Sequence, residues 1–269
     1  MKRIDILTKD HYSLAAHLFE PQVSNQKVLL INSATGVKQQ IYFSVAQFFA
    51  DHGFTVITYD YRGIGLSKPH KMRGFEASMR VWGTTDYKAL TDYIKSNFED
   101  YKKYCLGHSV GALILGMNPD SEIFEEFIFV GTQNAFVGNL RLKTKIEAYL
   151  GFGIVQPLFT LFLGYFPASW FGLGESLPSG SAFDWRILIL NKKSTNNLLE
   201  KSADFSKKLR QKVLVIWAED DAWLTEKGVK SLLENTYANL RPTYRAISPS
   251  ESEKGEIGHV NFFRSYNRK

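Results

Sequence analysis

The sequence predicts a mostly parallel, doubly wound α/β sheet, and three observations carry the prediction. Short continuous apolar runs recur along the chain, segments of helical periodicity separate them, and Gly, Asn or Asp residues stand at the junctions. Strands alternating with helices build a parallel sheet with a helical layer on each face.

Taken in order, residues 3–7 and 12–19 read as two opening strands, the second rich in branched and aromatic residues. Lys-Val-Leu-Leu-Ile-Asn at 27–32 is the unbroken apolar run of a strand buried on both faces. Helical periodicity over 41–52 stops at Gly53, a normal helix end. A strand follows at 54–59, and after the turn 60–67 an amphipathic helix covers 76–97, with Trp82 as a packing residue. A strand at 102–106, a short helix at 110–117 ended by Asn118-Pro119, and a strand at 124–130 continue the alternation. It breaks at Gly131 and returns with a strand at 213–217, a helix at 226–234 and a last strand at 243–247. The expected organisation is therefore a core of residues 1–130 and 206–269 with an inserted helical cap or lid at 131–205.

Within the insertion, 148–174 carries no charged residue. Pro157, Pro167 and the glycines from Gly151 onward oppose a continuous spanning helix, and the strongly apolar stretch 158–166 is far short of the roughly 20 residues a bilayer requires. No membrane span is expected; contact with a lipid surface at the periphery stays open. Eight aromatics within this region, among them Phe152, Phe159, Phe162 and Trp170, fit a small cap core and an apolar pocket wall.

Size and composition fit one soluble enzyme-sized domain: 269 residues, 44% hydrophobic, 22% charged. The net charge of +6 is spread along the chain, and no zinc-finger spacing, RNA-binding aromatic signature or basic helix run points to nucleic acid. The single Cys105 forms no internal disulfide, and the first ten residues lack the apolar stretch of a secretory signal, so a cytoplasmic protein is expected. Oligomeric state is not legible.

Gly107-His108-Ser109-Val110-Gly111 lies between a strand and a helix. In that setting Gly-x-Ser-x-Gly is a tight turn that exposes the serine hydroxyl and points the following helix N-terminus at a developing oxyanion. Ser109 is the expected nucleophile; Cys105, inside the strand, reads as a buried structural thiol. A serine hydroxyl needs a base, and the base an orienting acid, in the chain order Ser, Asp or Glu, His. Of six histidines only His259 follows the serine and the last strand. In Ala218-Glu219-Asp220-Asp221, after the apolar strand at 213–217, the loop spacing selects Asp221, with Asp220 as runner-up. The loop Ser33-Ala34-Thr35-Gly36-Val37 is expected to supply one oxyanion donor, the Thr35 N–H with Ala34 as the alternative, and Val110 N–H the other.

These segments, with Asp60-Tyr61-Arg62-Gly63-Ile64-Gly65-Leu66-Ser67 and Leu163-Gly164-Tyr165-Phe166-Pro167, resemble the α/β-hydrolase superfamily, and within it a bacterial, esterase-like branch. The likeness covers nearly the whole chain. It implies the α/β-hydrolase fold and ester-type hydrolysis, with Asp60 and Arg62 as scaffold, but no particular substrate. Ser33-Ala34 stands where the superfamily often has His-Gly, a departure that bears on the shape of the oxyanion loop. The expected function is hydrolysis of a small carboxylic ester or thioester with an apolar acyl group through an acyl-enzyme, without cofactor or metal. Acyl transfer to an alcohol on the same triad, or a non-catalytic ligand-binding protein of this fold, are the alternatives; the intact Ser, Asp, His order speaks against the latter.

Overall fold

The computed structural model describes residues 1–267. Two antiparallel strands, β1 (Lys2–Leu7) and β2 (Ser13–Phe19), open the chain, with Lys2 opposite Leu18 and Leu7 opposite Ser13. β3 (Lys27–Asn32) leads through a 3-10 turn at Gln39–Tyr42 into α1 (Phe43–Asp51), and β4 (Phe54–Tyr59) follows. α2 (Met79–Val81), a π-turn at Trp82–Asp86 and α3 (Tyr87–Asn97) form one helical run. β5 (Lys102–His108), the short α4 (Val110–Leu113) and β6 (Glu126–Val130) come next.

After Val130 the chain leaves this sheet. The inserted segment is mostly helical: α5 (Leu142–Leu150), a π-turn at Gly151–Val155, α6 (Gln156–Leu163), a two-stranded ribbon of β7 (Tyr165–Phe166) and β8 (Leu177–Pro178), then α7 (Ser179–Leu190) and α8 (Thr195–Glu200). β9 (Lys212–Ala218), α9 (Glu226–Asn235) and β10 (Arg241–Ile247) complete the sheet, whose order is β1-β2-β4-β3-β5-β6-β9-β10. From β4 to β10 every neighbouring pair is parallel.

Gly151, Gly153 and Pro157, read as opposing a continuous spanning helix within 148–174, do not break the local helix: 142–163 is one continuous run of 22 residues. The physical reason is the π-turn. Its wider bonding lets Gln156 N–H reach the Gly151 carbonyl, so the next carbonyl, that of Phe152, faces a proline with no N–H. Arg186 Nε on α7 donates to that carbonyl at 2.9 Å, so proline costs no unpaired backbone group.

The central strands are buried on both faces. Val28 and Leu30 pack in one core with α3 and α9, whereas Leu29 and Ile31 pack in the other with α1. This two-sided burial is what an unbroken apolar run provides. The carboxyl ends of β3, β5, β6 and β9 then open on one edge, where parallel sheets of this kind bind ligands.

Candidate active site

Ser109 sits at the end of β5 with φ 53° and ψ −118°, a backbone conformation unfavourable for a side-chain-bearing residue. Close packing holds it there. A Cβ on Gly107 would lie 2.6 Å from the Ala112 backbone, and one on Gly111 would overlap the Asn32 carbonyl oxygen, so only glycine fits on either side. Ser109 N–H donates to the Val130 carbonyl at 2.9 Å, and Thr132 Oγ1 donates to the Ser109 carbonyl at 3.0 Å. The side chain is left at the wall of a cavity of about 590 Å³.

His259 borders the same cavity, with its side chain about a quarter exposed. Its Nδ1 lies 2.6 Å from Oδ2 of Asp221, which is buried at the turn after β9; the other carboxylate oxygen, Oδ1, accepts Trp223 N–H at 2.8 Å. A carboxylate only accepts, so Nδ1 carries a proton and, in the neutral tautomer, Nε2 is the nitrogen left with a lone pair. The structure thus joins Asp221 to His259 and sets Ser109 and His259 on one cavity.

Asp220 does something different. Its two oxygens accept the N–H groups of Ile257 and Gly258, at 2.8 and 2.9 Å, and so fasten the loop that carries the imidazole. Glu219 is exposed. Cys105 is fully buried in β5, and burial raises its thiol pKa far above the ordinary value, so no thiolate competes with the serine.

Thr35 and Val110 both line the cavity. Val110 begins a helix, so its N–H has no intrahelical acceptor, and Thr35 N–H donates to no protein acceptor among the described residues. The alternative donor Ala34 is corrected: it is buried, and its N–H is donated to Tyr42 Oη at 2.9 Å. That bond begins a buried chain which sequence reasoning missed. Tyr42 Oη lies 2.7 Å from His108 Nδ1, and His108 Nε2 lies 2.9 Å from the His259 carbonyl oxygen. Burial, reinforced by nearby His259, lowers the His108 pKa well below its usual value, so the ring is neutral. Nε2 faces a carbonyl and must carry the single proton; Nδ1 therefore accepts from the tyrosine hydroxyl. Donors and acceptors run consistently from the oxyanion loop to the histidine loop, through the residue beside the serine. No periodicity or motif marks Tyr42 for this role.

The cavity is mainly apolar. Its aromatic wall is Trp185 of α7 and Trp223, with Leu188 and Ile189 beside them. The aromatics at 149–171, expected to supply the wall, lie elsewhere: Phe152 packs behind Trp185 at 5.0 Å, Phe166 is buried, and Phe162 and Trp170 face solvent. Glu175 marks a polar end, its carboxylate accepting Lys68 Nζ at 2.6 Å and Gly65 N–H at 3.1 Å. The segment around it touches the oxyanion loop, with Glu175 N–H donating to the Gly36 carbonyl at 2.8 Å. Asp60 and Arg62 lie away from the cavity: Asp60 accepts from Gln39 and Leu66, and Arg62 pairs with Asp86 and Asp10 at 2.6 Å each. Among the described residues no cluster of three or more His, Cys, Asp or Glu is arranged to hold a metal ion.

A family model described as serine aminopeptidase, S33, matches residues 24–118, which span β3 to the helix after Ser109. Solved structures resemble nearly the whole chain at low identity. A monoglyceride lipase from Saccharomyces cerevisiae, solved as a soluble variant with a substrate analogue, superposes with a TM-score of 0.65 at 15% identity, covering 91% of this chain and 87% of the lipase. A thermostable carboxyl esterase from Bacillus coagulans gives 0.61 at 13% identity, covering 91% and 89%. An esterase from Pyrococcus furiosus gives 0.58 at 14%, covering 99% and 87%. No curated protein sequence matches. The sheet order, the strained serine turn and these likenesses identify one fold, that of the α/β hydrolases.

Proposed function

We propose that this chain, a member of the α/β-hydrolase superfamily, hydrolyses a carboxylic ester or thioester with an apolar acyl group through an acyl-enzyme on Ser109. The observation that carries the reading is the Asp221–His259 hydrogen bond of 2.6 Å at a cavity which Ser109 also borders. In this reading Ser109 Oγ attacks the acyl carbon while His259 Nε2 takes its proton. Asp221 holds the imidazole in the required tautomer and stabilises the imidazolium that forms. The N–H groups of Thr35 and Val110 receive the oxyanion. His259 returns the proton to the leaving alcohol or thiol; water, activated by the same nitrogen, then releases the acid and restores the serine.

The segment 131–205 acts as a cap in this account, closing the cavity with Trp185, Leu188 and Ile189. A volume of about 590 Å³ is within the roughly 300–1,000 Å³ of small-molecule sites. Each methylene the wall buries contributes about 0.8 kcal/mol, so kcat/KM should rise several-fold per added methylene and then level off. The test is a p-nitrophenyl ester series from acetate to decanoate, on the wild type and on Ser109→Ala. Turnover that vanishes in the variant, with a rising and saturating series in the wild type, supports the reading. Wild-type rates in Ser109→Ala would refute it, and a flat series would remove the apolar acyl pocket.

A further inference from the structure

The 22-residue helix formed by α5, the π-turn and α6 has its polarity reversed. Toward the protein it turns Thr144, Ala148, Phe152, Gln156 and Thr160, a row stepping by four in which three side chains are polar. Gln156 Nε2 donates to Thr160 Oγ1 at 3.0 Å within that row. Toward solvent it turns Leu142, Ile146, Leu150, Ile154, Leu158 and Leu161, all exposed, with Phe162 the most open at 80%. A helix on a water-facing surface carries its polar residues outward; this one does the opposite along about 30 Å. The patch widens at Trp170, 66% exposed, and Phe171, whose rings stand 6.0 and 5.5 Å from Phe159. An apolar surface of this extent marks an interaction site.

We propose that this face docks on an anionic phospholipid bilayer, the helix lying in the plane of the interface. Charge selects the occupant. Arg141, Lys143 and Lys145 gather at one end of the stripe, and Arg73 stands at the other, its Nη2 donating to the Phe162 carbonyl at 3.0 Å. Glu147 is the sole acid on the helix. Lys143 and Lys145 flank the stripe on opposite sides, where long stems lie along apolar surface and place ammonium groups at headgroup level. A second copy seated on the same face would set cations against cations at both ends, whichever way it ran. Tyr149 and Trp170 are the amphipathic aromatics that interfaces favour. The helix lies along the molecule rather than projecting from it, tied to α7 through Arg186, which fits an in-plane pose. The patch also adjoins the cavity, since Ser169 and Gly172, on either side of Trp170 and Phe171, line it.

Docking can be measured without catalysis. Ser109→Ala protein of the 269-residue chain is floated with vesicles of phosphatidylcholine alone and of phosphatidylcholine with about a third phosphatidylglycerol. The expected result is co-flotation with the anionic vesicles, at least tenfold weaker on the neutral ones and released by salt, since each basic residue near the surface contributes about fivefold. Leu158→Ser/Leu161→Ser/Phe162→Ser, all exposed positions, should reduce partitioning at least tenfold with unchanged thermal unfolding. Lys143→Gln/Lys145→Gln should lose most of the anionic preference and provides the test if the triple variant does not fold. Absence of flotation with anionic vesicles, or flotation indifferent to both variants, overturns the proposal. A stable lipid-free dimer that the triple variant dissociates overturns it too, assigning the face to a second copy. Because the assay uses the serine variant, failure of the hydrolase reading would leave it unaffected.

Discussion

Tyr42→Phe removes one oxygen from a fully buried ring, and the structure sets its cost. The ring contacts remain, including the edge-to-face contact with Phe263 at 4.6 Å. Two partners are stranded: Ala34 N–H loses its acceptor and His108 Nδ1 its donor. A buried polar group left unpaired costs about 1–3 kcal/mol, so the substitution should destabilise by about 2–6 kcal/mol, a large share of a typical domain's total. Tyr87→Phe is the matched control. Tyr87 is equally buried, but its partner Ser121 Oγ still donates to the Leu115 carbonyl at 2.7 Å, so the loss should stay near 1 kcal/mol. Urea unfolding of the two variants and the wild type, with unchanged m-values, measures the difference. In the hydrolase reading Tyr42→Phe should also slow turnover, because the freed Ala34 amide loosens the loop bearing Thr35. A loss for Tyr42→Phe no greater than that for Tyr87→Phe would refute the directed chain from Ala34 to His259.

Two further outcomes follow from the same geometry. Asp221→Asn should lower kcat by about 10²–10⁴, whereas Asp220→Asn, which keeps one acceptor for the Ile257 and Gly258 amides, should mainly lower stability, by about 1–2 kcal/mol; the reverse ranking in kcat would make Asp220 the orienting acid. Because the folded His108 pKa is depressed, the unfolded chain binds the extra proton first as pH falls through about 6.5, and stability present above that pH declines below it, by at most about 1.4 kcal/mol per pH unit. Denaturation curves between pH 7.5 and about 5 should therefore fall more steeply for the wild type than for His108→Gln, and parallel slopes would contradict a buried neutral His108.

The sheet was legible because its central strands write two-sided burial as unbroken apolar runs, as in Val28-Leu29-Leu30-Ile31. Ser109 was legible because the serine turn tolerates only glycine at 107 and 111, which leaves a local signature. The carboxylate that pairs with His259 is the one a loop count points to, Asp221. Its neighbour's task was hidden, because Asp220 binds backbone amides, and any residue at 257 or 258 except proline offers the same N–H. The continuity of the helix through Pro157 was not legible, because what accommodates the proline is Arg186, remote in sequence. The cavity wall was not legible because Trp185 and Trp223 fall outside the charge-free aromatic run within 148–174.

The central claim is that Ser109 is an activated nucleophile, and covalent labelling tests it most directly. Wild-type protein is treated with a fluorophosphonate, which requires a serine oxygen deprotonated by a neighbouring base, and is then mapped by peptide mass spectrometry. The account predicts a single adduct on the peptide carrying Ser109, no adduct in Ser109→Ala, and much slower labelling in His259→Gln. An unlabelled wild type, or a Ser109→Ala protein labelled at the wild-type rate, would contradict it.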